Sequence, residues 1–223
     1  MAAKKHHILI IALLLSHFIT RAQIKSRIDY YGTEEGLSHS IITTVIKDKE
    51  GFMWMGSWNG INRFDGKKFV SYKPSPADKY QLENNRIDQL VDDGIGNLWL
   101  KAYEGHIYKF EKGNKKFYPL YVLLDDNSLK NIRFYKLFKT SNGLIWMLSE
   151  NDGIYCINPK SGRLNKYLHF SKKLSGPYFL FSDKVNFFYE DQNHHIWLGT
   201  DRGLNCLIAQ SGFNYKSVIT GSK

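Results

Sequence analysis

An all-β chain built of repeated four-stranded antiparallel units is predicted, and three observations predict it. Trp54, Trp99, Trp146 and Trp197 recur at intervals of 45, 47 and 51 residues. A glycine stands three residues before the tryptophan in three copies (Gly51, Gly96, Gly143), and a second follows it by six or seven residues in all four (Gly60, Gly105, Gly153, Gly203). Short apolar runs fill the spaces between these turn glycines, without the spacing of three and four that marks a helix. A period of about 40–50 residues with a Trp and paired turns in each unit is the sequence form of a β-propeller blade; leucine-rich repeats have a shorter period.

Composition agrees with that class. The chain of 223 residues is 43% hydrophobic and 15% aromatic, with 18 Gly and 5 Pro, which favours a turn-rich β protein and excludes disorder and collagen. Two cysteines exclude a disulfide scaffold and a four-thiolate zinc site. Cys156 and Cys206 each lie three residues after the second glycine of their copy. Equivalent side chains point the same way, so both are expected free and partly buried.

Residues 1–22 read as a secretory signal peptide. Lys4, Lys5, His6 and His7 make a basic start, Ile8 to Leu15 is apolar, and Thr20-Arg21-Ala22 places small residues at the minus-three and minus-one positions of a cut before Gln23. The apolar stretch from Ile8 to Ile19 is 12 residues and His17 interrupts it, against about 20 needed to span a bilayer. An exported mature chain with no membrane span is therefore expected. Without the leader's Lys4, Lys5 and Arg21, 31 basic and 21 acidic residues become 28 and 21, and the net charge falls from +10 to +7. The basic residues form no long stripe, so nucleic acid is not an expected partner.

The units follow in order. Residues 23–41 form an N-terminal strand (Arg27 to Tyr31) and a leading loop. Blade 1 (42–73) has strands at Ile42 to Lys47, Phe52 to Ser57, Ile61 to Phe64 and Phe69 to Tyr72, divided by turns at Gly51, Gly60 and Gly66. Pro74-Ser75-Pro76 then breaks the sheet. Blade 2 with its linker (74–118) has strands at Ile87 to Val91, Leu98 to Ala102, Ile107 to Phe110 and Lys116 to Tyr118. Blade 3 (119–167) ends at Tyr167, and blade 4 (168–223) ends in a strand near Phe213 to Val218. The tryptophans are expected to pack between neighbouring blades.

No catalytic constellation appears. Asp48, Asp93 and Asp191 occupy equivalent turns a blade apart, where they fix the turn through backbone amides rather than act as an acid/base pair. His194 and His195 are adjacent and point to different sides, so neither a metal site nor a cofactor is predicted.

Topology indicates where a ligand would bind. In a four-stranded meander the turn between strands two and three shares an end with the loop leading into strand one, opposite the Asp-x-x-Gly turns. That loop face carries His39, Trp58 and Asn59 from blade 1 and Asn85, Arg86, Tyr103 and Glu104 from blade 2. Blade 3 contributes Asn131, Arg133, Asn151 and Asp152, and blade 4 contributes Lys184, Asp201 and Arg202. Mixed aromatic, amide and cationic side chains suit a neutral or acidic sugar.

The chain resembles the two-component regulator propeller repeat family of periplasmic sensors in hybrid two-component systems. The likeness lies in Glu35-Gly36-Leu37-Ser38-His39-Ser40-Ile41, in the Asp-x-x-Gly-x-x-Trp-x-Gly core from Asp48 to Gly56, and in the linker from Asp78 to Ile87. Departures from it include Thr140 in place of a turn acid, His194 in place of a glycine, and Lys101 in place of the glycine two after Trp. The resemblance implies a non-catalytic periplasmic segment sensing oligosaccharides or nutrients, ending before membrane and kinase domains. It also implies blades shaped for a ring of about seven, so that four would form an open arc, with Arg27 to Tyr31 unpaired and the end faces prone to self-association. The alternative is an exported scaffold that binds polypeptides.

Overall fold

The computed structural model describes residues 26–74, 80, 82–161, 167–210 and 213–219. The expected signal peptide, the cut before Gln23, Pro76 and Asp78 lie outside them. Residues through Tyr30 form one unit and Tyr31–Lys223 another. In the first, Arg27 pairs with Asp29 at 2.7 Å. The expected strand from Arg27 to Tyr31 is not made, and Ile28 and Tyr30 are exposed.

The second unit is four four-stranded sheets, each with its strands in sequence order. Blade 1 is β1 (Ile42–Lys47), β2 (Met53–Ser57), β3 (Gly60–Phe64) and β4 (Phe69–Tyr72). Blade 2 is β5 (Ile87–Asp92), β6 (Asn97–Ala102), β7 (Ile107–Glu111) and β8 (Lys116–Pro119). Blade 3 is β9 (Phe134–Lys139), β10 (Ile145–Ser149), β11 (Ile154–Ile157) and β12 (Tyr167–Phe170). Blade 4 is β13 (Val185–Glu190), β14 (Ile196–Thr200), β15 (Gly203–Ala209) and β16 (Tyr215–Ile219). Blade 3 thus runs to Phe170, past the expected end at Tyr167. Between β8 and β9 the chain forms a short helix, α1 (Leu120–Leu123), and a 3-10 turn, Asn127–Asn131, which bury Leu120, Leu124 and Leu129 against Trp99.

Asp48 shows why the Asp-x-x-Gly turns form. One of its carboxylate oxygens accepts from the Phe52 amide at 2.9 Å and the other from Trp54 Nε1 at 2.6 Å, so the acid ties the turn to the blade's Trp. Asp191 repeats both bonds, to the His195 amide and to Trp197 Nε1. In blade 3 the Thr140 hydroxyl bonds within the turn, and Trp146 Nε1 has no partner among the described residues. His194 takes the place of glycine at φ 62°, a left-handed backbone that Gly51, Gly96 and Gly143 adopt freely.

The three tryptophans that have a following blade are buried by it. Trp54 lies against Ile87, Leu98 and Phe110 of blade 2, and Trp99 against Leu137, Ile145 and Met147 of blade 3. Trp146 packs edge-on to Tyr215 of blade 4 at 5.1 Å. First strands also approach one another. The Gln89 side chain brackets the Leu137 peptide unit, donating to its oxygen at 2.7 Å and accepting from its nitrogen at 2.9 Å. Among the described residues no blade follows Trp197, which stays half-buried with Phe187, Tyr189 and Leu204 exposed beside it; the sheets form an open arc.

Candidate functional site

The turn between strands two and three does share an end with the leading loop. Trp58 donates its amide to Ile41 O, Tyr103 to Arg86 O, and Glu150 to Arg133 O. Neighbouring blades are stitched at the same end: Gly60 N donates to Asn85 O, Phe134 N to Gly105 O, and Gly153 N to Asp183 O. At Gly153 a side chain is barred outright, because a Cβ would meet Phe170 O at 2.0 Å.

Two groups of the predicted residues meet on this face. In the first, the Arg86 guanidinium lies between two rings, 4.8 Å from Trp58 and 4.1 Å from Tyr103. His39 adds a third ring, 5.7 Å from Trp58. Asp88 holds Arg86 at 3.1 Å and Lys101 at 3.0 Å, which gives Lys101 its role where blades 1 and 4 have Gly56 and Gly199. In the second, Asn131, Arg133, Asn151 and Asp152 line one cleft of about 360 Å³ with Ile132, Ser149, Glu150 and Lys173. Burial alone would push the Asp152 carboxyl up, but bonds from Tyr155 and Lys173 and the charges of His169 and Lys173 outweigh it and hold it below the usual range.

The other predicted residues have local tasks. Asn59 donates to Ser38 O at 3.2 Å, Asn85 supplies the carbonyl that Gly60 uses, and the Lys184 amide donates to Ser182 Oγ. Asp201 and Arg202 sit on an exposed turn. Glu104 joins Glu83 and His106, whose ligand-type atoms lie within 4.8 Å of one another. His106 Nδ1 faces Glu83 at 3.1 Å, and its Nε2 contacts Lys130 O and the Arg133 guanidinium. Burial raises the Glu104 carboxyl above its usual range.

Sequence reasoning missed the side chains that hold the leading loops. Asn62 accepts from Ser38 N at 2.9 Å, Tyr108 from Glu83 N at 3.3 Å, and Asn205 from Phe181 N at 3.1 Å. The signal was present for two of them, since Asn62 and Asn205 each stand two residues after their blade's second glycine. Both cysteines are free and fully rather than partly buried, and burial raises both thiols.

Part of the chain matches a known family, and the whole is similar in fold to solved structures. The family described as two component regulator propeller matches residues 36–59, which run from the leading loop through β1 and β2 to the Trp58-Asn59 turn. Histidine kinase P4 of Formosa agariphila is 38% identical over 48 residues, 22% of this chain and 4% of that kinase. Among solved structures, the extracellular domain of a one component system from B. thetaiotaomicron superposes with a TM-score of 0.55 at 20% identity, covering 79% of this chain and 22% of that one. The extracellular domain of a hybrid two component system from the same organism gives 0.52 at 19% identity, covering 84% of this chain and 31% of that one. The chain therefore spans less than a third of each relative's length. Among the described residues no helix is long and apolar enough to cross a membrane. Residues 36–59 match the two component regulator propeller family, and the chain that contains them is a run of four propeller blades with the fold of extracellular domains of such systems.

Proposed function

We propose that this chain is a non-catalytic, periplasmic ligand-sensing propeller segment that reads an oligosaccharide on its loop face. The observation that carries the reading is the cleft of about 360 Å³, whose lining mixes amides, a hydroxyl, carboxylates and two cations. Sugar hydroxyls both donate and accept, so they need partners of both kinds within one small space. Trp58 and Tyr103, both exposed, add rings on which a pyranose could stack. The likeness to extracellular domains of signalling systems supports a place outside the cytoplasm.

A panel of acidic and neutral oligosaccharides, titrated into the chain by calorimetry, tests the proposal. One class is expected to bind, and Asn131→Ala with Asn151→Ala is expected to weaken it about tenfold, the loss of two hydrogen bonds of ~0.5–1.5 kcal/mol each. Both residues are exposed, so the double variant should keep its fold. Failure of every oligosaccharide, or equal affinity in the double variant, would rule out this site.

A second element of the proposal is self-association through the uncovered face of blade 4. Phe187 and Tyr189 are 58% and 53% exposed there, on the side that each earlier blade buries against its neighbour. Sedimentation velocity should show an average mass that rises with concentration. Phe187→Ser with Tyr189→Ser should keep the chain monomeric; a wild-type chain that is monomeric at every concentration would refute the idea.

A further inference from the structure

A second pocket opens at the opposite end of the blades, where the Asp-x-x-Gly turns lie, in the seam between blades 1 and 2. Its volume is about 310 Å³, and it shares no residue with the loop face. Phe52 and Tyr72 of blade 1 give it aromatic walls, and Lys112 and Lys115 reach in from the turn between β7 and β8.

Arg63 is the residue without an explanation. It stands on β3 opposite Trp54, with its guanidinium 4.5 Å from the Phe52 ring. Its Nε is buried and makes no hydrogen bond among the described residues. A buried N–H without an acceptor is rare and costly, and a missing ligand or ion is one of its ordinary causes. Two carboxylates, Asp48 and Glu50, line the same pocket. Asp48 is already engaged by Phe52 N, Trp54 Nε1 and Lys112 Nζ, the last at 2.9 Å.

Charge points the same way. Lys112 is neutralised by Asp48 and Asp92, both at 2.9 Å, and by Glu50 at 3.3 Å. Neither Arg63 nor Lys115 has an ion-pair partner among the described residues. The pocket's lining therefore includes an unpaired guanidinium, an unpaired ammonium and two aromatic rings. At about 310 Å³ it lies at the small end of ligand pockets, which run from ~300 to 1,000 Å³.

We propose that this seam pocket binds a small aromatic carboxylate, its carboxylate on the Arg63 guanidinium and its ring against Phe52 and Tyr72. A guanidinium presents parallel N–H donors that match a carboxylate's two oxygens. The pocket shares no lining residue with the loop-face cleft, so this site is independent of the oligosaccharide reading.

Calorimetric titration of the full chain with benzoate, benzamide and inorganic phosphate tests the proposal. Benzoate is expected to bind at one saturable site, with benzamide and phosphate at least tenfold weaker. Arg63→Gln should weaken benzoate tenfold or more, and circular dichroism checks that the variant folds. Lys115→Gln, at an exposed position, should weaken it about threefold and guards against a folding failure at Arg63. Asn131→Ala with Asn151→Ala should leave benzoate affinity unchanged. The assignment is overturned by no saturable benzoate binding, by benzamide or phosphate binding as tightly, or by wild-type affinity in either cation variant.

Discussion

Trp99→Ala is expected to lower the free energy of unfolding by about 3–5 kcal/mol, the range for deleting a fully buried aromatic side chain. Trp99 is wholly buried, with residues of blades 2 and 3 and of the helical connection around it. Its indole N–H has no acceptor among the described residues, so the loss is one of packing and cavity rather than of a hydrogen bond. Trp197→Ala removes the same side chain from the same register position, and removes a 2.8 Å bond to Asp191 as well. Even so it should cost less, roughly 1–2 kcal/mol, because much of the indole already meets water. Urea midpoints for the two variants check the contrast. Equal losses would mean that burial between blades is not what the repeated Trp provides.

Lys112→Met should be nearly as severe. Lys112 reaches from blade 2 to Asp48 of blade 1 and also meets Asp92, with side-chain exposures of 16%, 1% and 12%. Removing the ammonium leaves two carboxylates facing each other out of water. We expect a loss of roughly 2–3 kcal/mol, below the ~3–5 kcal/mol of a fully buried pair because Lys112 keeps some contact with solvent. Burial pushes the Asp48 carboxyl up, but the Lys112 and Trp54 hydrogen bonds and the Lys112 charge outweigh it and hold the group below its usual range. Burial lowers the Lys112 ammonium, and Asp92 and Asp48 more than reverse that. A depressed carboxyl stabilises the fold above its unfolded pKa of about 4 and ceases to as pH falls through the folded value. A raised ammonium stabilises below about pH 10 and ceases to as pH climbs through its folded value. The gap between wild type and variant should therefore be full from about pH 5 to 10 and close in acid. A gap unchanged down to pH 2 would mean the loss comes from the lysine's packing and not its charge.

How much the sequence revealed follows from how local each cause is. Strands Ile42–Lys47 and Phe69–Tyr72 were legible to the residue, because a chain-breaking residue stands close by: Gly51 after the first, and Gly66 before and Pro74 after the second. Leu120–Leu123 was not, since an apolar run after a proline reads equally well as strand or helix until its neighbours are known. The loop-face residues could be named because a meander fixes which turns share an end. Lys173 could not, because it arrives on the long connection after β12, whose return path has no local signal. The seam pocket was wholly invisible: Lys112 and Asp48 are 64 residues apart in sequence and meet only when two blades pack.

The stitches between blades on the loop face run from main chain to main chain: Gly60 to Asn85, Phe134 to Gly105 and Gly153 to Asp183. Such bonds do not depend on the side chain at any acceptor position. Asn85 can change while the spacing of the blades stays constant, so the loop face can vary there at little cost in foldability. The donors Gly60 and Gly153 cannot, because a Cβ at either would meet a backbone oxygen, at 2.4 Å and 2.0 Å respectively.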